Sequence, residues 1–87
     1  MTYRYKVLAS SEETGIVAVV DGEGRCHVGR ALGPVPLPNA ELNGEPPAIG
    51  VRELRVAHKL EQCPVALVLL DCEPEVAARV VAPINLL

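Results

Sequence analysis

The stretch "VRELRVAHKLEQ", residues 51–62, decides how large a sheet this chain can build. Read with a period of two, Leu54, Val56, His58 and Leu60 share one face, and Glu53, Arg55, Ala57 and Lys59 share the other. Read as a helix, its Glu, Leu, Arg, Lys and Gln have good propensity. The apolar stripe fails, however, because Leu54 and Val56 fall about 200° apart at about 100° per residue. The strand reading is therefore favoured. It makes "PVALVLLDC" (64–72) a second strand, with Pro64 admissible at its first position and "EQCP" available to close a hairpin between the two.

Toward the N-terminus, "TYRYKVLAS" (2–10) alternates Tyr3, Tyr5 and Val7 against Arg4 and Lys6, the pattern of a half-buried strand. "IVAVV" (16–20) is a short β-branched run bounded by turn residues, as a well-buried strand requires. "DGEG" (21–24) supplies residues that tolerate positive φ in hairpin loops, and "RCHVGRAL" (25–32) returns as the partner strand. Residues 2–32 thus read as a three-stranded antiparallel meander. "GPVPLPNAELNGEPPA" (33–48) breaks every period with its prolines and reads as a loop, extended where Pro34, Pro36 and Pro38 alternate. As a loop, its residues 36–46 should be removable without loss of the fold.

"EPEVAARVVAP" (73–83) has the marks of a short helix. Pro74 suits the first turn, Glu73 and Glu75 favour the positive end, Arg79 lies near the other end, and Pro83 stops it. Val76, Ala77, Val80 and Val81 form the stripe for the sheet. The predicted fold is α+β: one domain over residues 1–87, an antiparallel sheet of about five strands, one short C-terminal helix packed on one face, and a Pro-rich loop at 33–48.

The interior has to be made of small aliphatics, since the chain of 87 residues has no Trp, no Phe and only two Tyr. Rings that each bury about 150–250 Å² are the usual anchors of a core, and here they are almost missing. Three cysteines, Cys26, Cys63 and Cys72, are an odd number, and "MTYRYKVLAS" holds no apolar run of the ~7–15 residues a secretory signal uses. Reduced thiols in a cytoplasmic protein are the expected state. The longest apolar run, "PVALVLL" (64–70), is far short of the ~18 residues of a membrane span. The net charge of −3, with basic residues scattered, argues against nucleic acid and against an anionic membrane surface as partners.

"GRCHVG" (24–29) is the stretch that looks chemical, with a thiol beside an imidazole. Adjacent residues of a strand point to opposite faces, so Cys26 and His27 cannot readily act on one another. A metal site drawn from Cys26, Cys63 and Cys72 with His27 or His58 matches no paired-cysteine spacing, and a strand over 64–72 would hold Cys63 and Cys72 ~25–30 Å apart. Gly22, Gly24 and Gly29 make no dinucleotide fingerprint, because a strand follows where a helix should begin. The carboxylates Asp71, Glu73 and Glu75 read as helix capping. No catalytic set, metal or cofactor is implied.

Two functions remain open. The first is a non-catalytic protein-interaction or regulatory module acting as a homodimer or higher oligomer, itself its first partner and another protein a second. Its contacts would come from Pro36, Leu37 and Pro38 in the loop and from Ile84, Leu86 and Leu87 in the apolar tail. The second is a small-molecule-binding protein or small enzyme with a site between subunits, using Cys26, His27 or His58.

Overall fold

In the computed structural model, which describes residues 3–57, 59 and 61–81, the meander forms as its alternation predicts. Strands β1 (Tyr3–Ser10), β2 (Ile16–Asp21) and β3 (Cys26–Ala31) pair antiparallel in sequence order. β4 (Glu41–Gly44) then returns to the far side of β1, which gives the spatial order β4-β1-β2-β3 of a Greek key. Three further strands follow, β5 (Gly50–Arg52), β6 (Leu54–Val56) and β7 (Val65–Cys72). The sheet therefore has seven strands, ordered β5-β7-β3-β2-β1-β4-β6, where the sequence predicted about five.

The difference arises at the two places the sequence left hardest to read. Within 33–48, the expected loop contains β4, whose Leu42 is fully buried. The prolines on either side hide it, because four residues are too few to show a period. Within 51–62, the strand reading holds for Leu54–Val56 with Leu54 inward, but the chain breaks pairing at Glu53 and leaves the ladder after Val56. His58 and Leu60 lie outside the described residues. The expected hairpin through "EQCP" does not form either. β6 pairs with β4, β5 pairs with β7, and the chain instead turns sharply after β6, with Val56 N–H donating to Glu61 O at 3.1 Å and Cys63 N–H to Leu54 O at 2.8 Å.

Only Glu53 separates β5 from β6, yet the two occupy opposite edges of the sheet. One continuous segment thus joins both edges, and the sheet curls into a nearly closed barrel that leaves little free edge. The kink is held by Glu45, whose Oε1 accepts from Glu53 N–H at 2.8 Å. Two glycines permit the tight strand crossings. A Cβ on Gly29 would lie 2.5 Å from Ala66 O and 2.9 Å from Leu67 Cα, and one on Gly44 would meet Leu54 Cα and the carbonyl of Glu53. Neither position has room for a side chain.

The strands bury residues on both sides. Tyr5, Val7, Val17, Val19, Leu42, Leu54, Cys63, Val65 and Leu67 fill the barrel. On the outside of β1–β3, helix α1 (Pro74–Val81) covers Ala18, Cys26 and Val28 with its own Ala77 and Val81. This explains why β2 reads as an unbroken apolar run: Val17 and Val19 face the barrel while Ala18 faces the helix. Val76 and Val80, expected on the same stripe, are exposed at the flank of α1. Each fully buried Val or Leu contributes about 1.5–3 kcal/mol, so a core without large rings is stabilised by many modest contributions.

Candidate functional site

The β2–β3 turn brings a carboxylate and an imidazole together inside the barrel. Val17, Val19 and Asp21 share the inward face of β2, and His27 stands opposite Val19 on β3. Asp21 and His27 are only 8% and 2% exposed. Asp21 Oδ2 lies 2.9 Å from His27 Nε2, while Oδ1 accepts from Glu23 N–H at 2.9 Å and from Arg25 N–H at 3.1 Å. The other ring nitrogen, Nδ1, accepts from the backbone N–H of Asp71 at 3.1 Å. Because Nδ1 accepts a hydrogen bond from the Asp71 backbone N–H, the ring proton sits on Nε2, which donates to Asp21; this tautomer is assigned from the network.

A bulge in β7 makes the last of these contacts. Cys26 pairs with Cys72 and Val28 with Leu69, so the single residue His27 faces both Leu70 and Asp71. Asp71 occupies the left-handed region, φ 54°, which turns its N–H toward the ring. Tyr5 completes the surroundings, edge-on to His27 with ring centroids 6.5 Å apart and its hydroxyl donating to Glu45 O at 2.7 Å. Burial first, and the nearby Asp21 carboxylate second, push its phenol up to about 12. For Asp21, burial works to raise the carboxyl, but the hydrogen bonds from His27 and the two turn amides outweigh it and hold it below the ordinary 3.8.

The arrangement has the parts of a base and its orienting acid but not their freedom. Both ring nitrogens of His27 are committed, the ring is shut off from solvent, and a base needs a lone pair within reach of a substrate proton. The network is a latch that ties the β2–β3 turn to the start of the segment leading into α1.

Cys26 does face away from His27. It sits beneath α1, and burial followed by the neighbouring Cys72 raises its thiol above the ordinary range. Cys63 points into the barrel, raised in the same way by burial and then by Glu61. His58 lies outside the described residues, as do Ile84, Leu86 and Leu87 of the tail. In the Pro-rich segment Pro36 is buried, and its carbonyl accepts from Ser10 Oγ at 2.7 Å, whereas Leu37 and Pro38 are exposed. Asp21 was legible only as a turn carboxylate. Its pairing with His27 was recoverable from hairpin parity, since the two flank the same turn on the same face.

Two open grooves of about 620 and 490 Å³ meet at Asn43 and Ala57 on the outside of β4. Their charged rims, among them Arg4, Lys6, Glu41 and Arg55, mix both signs. Among the described residues, no group of three or more His, Cys, Asp or Glu gathers as a metal site would, and no helix is long and apolar enough to cross a membrane.

The outer face of β5 and β7 is different in kind. Val51 and Ala66 are register partners there, Ile49 immediately precedes the ladder, which begins at Gly50, and Val68 follows the paired Leu67 on β7. Ile49, Val51 and Val68 are 63%, 51% and 66% exposed, with Leu69 exposed beside them. Comparison with protein-family models, with curated proteins and with solved structures finds no match to this chain.

Proposed function

We propose that this protein is a non-catalytic interaction module that acts as a homo-oligomer, contacting its own copies, and then a protein partner, through the outer face of β5 and β7. The observation that carries the reading is the set of exposed apolar residues on and beside β5 and β7, Ile49, Val51, Val68 and Leu69, none of which belongs to the cluster that α1 covers. Exposed apolar surface gathered in one patch marks contact sites, whereas scattered single residues do not. Leu37 and Pro38 in the Pro-rich segment are additional candidates for the same contacts. The alternative use of Cys26 or His27 as a ligand site between subunits is disfavoured by their burial and by the full commitment of the His27 ring.

The test is sedimentation of the wild type and of Val51→Glu and Val68→Glu at micromolar concentration. The wild type is expected to sediment as a dimer or larger. Each variant should shift toward the monomer with its melting temperature nearly unchanged, because the residues replaced are exposed. A wild type that remains a compact monomer throughout the micromolar range would overturn the proposal.

A further inference from the structure

Cys26 opens β3 and Cys72 closes β7, and the two are register partners across an antiparallel ladder, so their side chains leave the same face of the sheet. Directly opposite residues hold their Cβ atoms about 4.5–5.5 Å apart. A disulfide needs about 3.5–4.5 Å, so the gap to close is about 1 Å. The place in the fold can supply it. The bulge opposite His27 has already taken β7 out of regular pleat, Asp71 beside Cys72 is left-handed, and pairing ends at Cys72 itself. Cys72 Sγ is also turned toward β3, donating to the Cys26 carbonyl oxygen at 3.4 Å. Both thiols are free.

We propose that Cys26 and Cys72 form a reversible intramolecular disulfide, a redox-modification site that staples the end of β7, and with it the start of α1, to β3. The oxidant is a low-molecular-weight disulfide, R–S–S–R. The Cys72 thiolate attacks one of its sulfurs, forming Cys72–S–S–R and releasing R–S⁻. The Cys26 thiolate then attacks the Cys72 sulfur, forming the internal bond and releasing the second R–S⁻. The two protein thiols lose two electrons and two protons, and the external disulfide leaves as two R–SH.

Access sets this order, because Cys72 is half-buried whereas Cys26 lies beneath Ala77 and Val81 of α1. Burial, then the neighbouring Cys72, raises the Cys26 thiol, so the second step quickens as pH rises. Cys63 takes no part. It packs in the barrel near the opposite end of β7, with its Sγ toward Pro34 O at 3.8 Å.

The experiment exposes the full chain to oxidised glutathione at about pH 8, quenches with acid, and maps the disulfides by mass without reduction. The expected product has lost two hydrogens, yields a linked Cys26–Cys72 peptide, leaves Cys63 open to alkylation, and reverts with dithiothreitol. Cys63→Ser should give the same bond. Cys26→Ser should stop at a stable glutathione adduct on Cys72. Amide exchange in α1 should slow several-fold in the oxidised protein. Four outcomes would overturn the proposal: Cys63 in the product, a dimer linked between chains as the main species, a glutathione adduct on wild-type Cys72 that never resolves, or reaction only in denaturant.

Discussion

Asp21 can be tested by the smallest change available, Asp21→Asn, which keeps shape and removes one acceptor. The carboxylate accepts at both oxygens, Oδ2 from His27 and Oδ1 from the amides of Glu23 and Arg25. An amide always turns its NH₂ toward one of these donors. The ring cannot adapt by moving its proton to Nδ1, because that nitrogen would then meet the N–H of Asp71. A buried donor left without an acceptor costs about 1–3 kcal/mol, and the bonds lost were to a charged group, so the expected loss is about 2–4 kcal/mol. For a domain this small, about 0.05–0.15 kcal/mol per residue is all the stability there is to draw on. Urea unfolding at pH 7 measures it, and the pH series supplies the sign. The Asp21 carboxyl titrates lower in the folded chain than its ordinary 3.8, so its contribution is complete above about pH 4 and is lost as pH falls through the folded value. The gap between wild type and variant should therefore be full at pH 5–7 and shrink in acid. A difference below about 0.5 kcal/mol at pH 7, within the scatter of neutral surface changes, or a gap that does not shrink toward about pH 2 would refute the latch.

Two further predictions concern barrel closure. Gly29→Ala should destabilise by about 1–3 kcal/mol, since the new methyl meets Ala66 O and Leu67 Cα, which are backbone and cannot swing aside; urea midpoints with an unchanged slope would show it. Deleting residues 36–46 should unfold the chain and not merely shorten a loop, because it removes β4 from between β1 and β6 together with buried Leu42; circular dichroism retaining a cooperative thermal transition would contradict this.

Where the sequence was readable, one physical signal dominated each element. Tyr3, Tyr5 and Val7 alternate because β1 has an inner face to fill, and the Gly-rich "DGEG" turn fixes β2 against β3. Pro74 and Glu75 mark the start of α1, while Arg79 falls in its last turn. The unreadable parts were those in which the reason for a conformation lies elsewhere in the fold. β4 is extended because β1 and β6 supply partners on both sides, and nothing within "ELNG" itself states that. His27 looked like chemistry beside Cys26 because a linear sequence shows neighbours. Its true neighbours are Asp21 across the turn and Asp71 across the sheet.

The same distinction explains why the segment 51–62 reads one way in sequence while its first residues, 51–56, take another course in space. Gly50–Arg52 and Leu54–Val56 look like one strand, and a single strand would bury alternate residues against one neighbour. Here the break at Glu53 gives the two halves different neighbours at opposite edges, and the half that pairs with β7 leaves Val51 exposed, as Ile49 before it and Val68 on β7 are. Barrel closure and the exposed patch are thus products of one kink. The sheet disposes of its unpaired edges by wrapping, and wrapping leaves Val51 and Val68 on β5 and β7 exposed, since α1, the one helix among the described residues, packs on β1–β3. Apolar residues there gain little from the protomer's own core, and under the proposed reading their stabilisation comes from a surface that another chain brings.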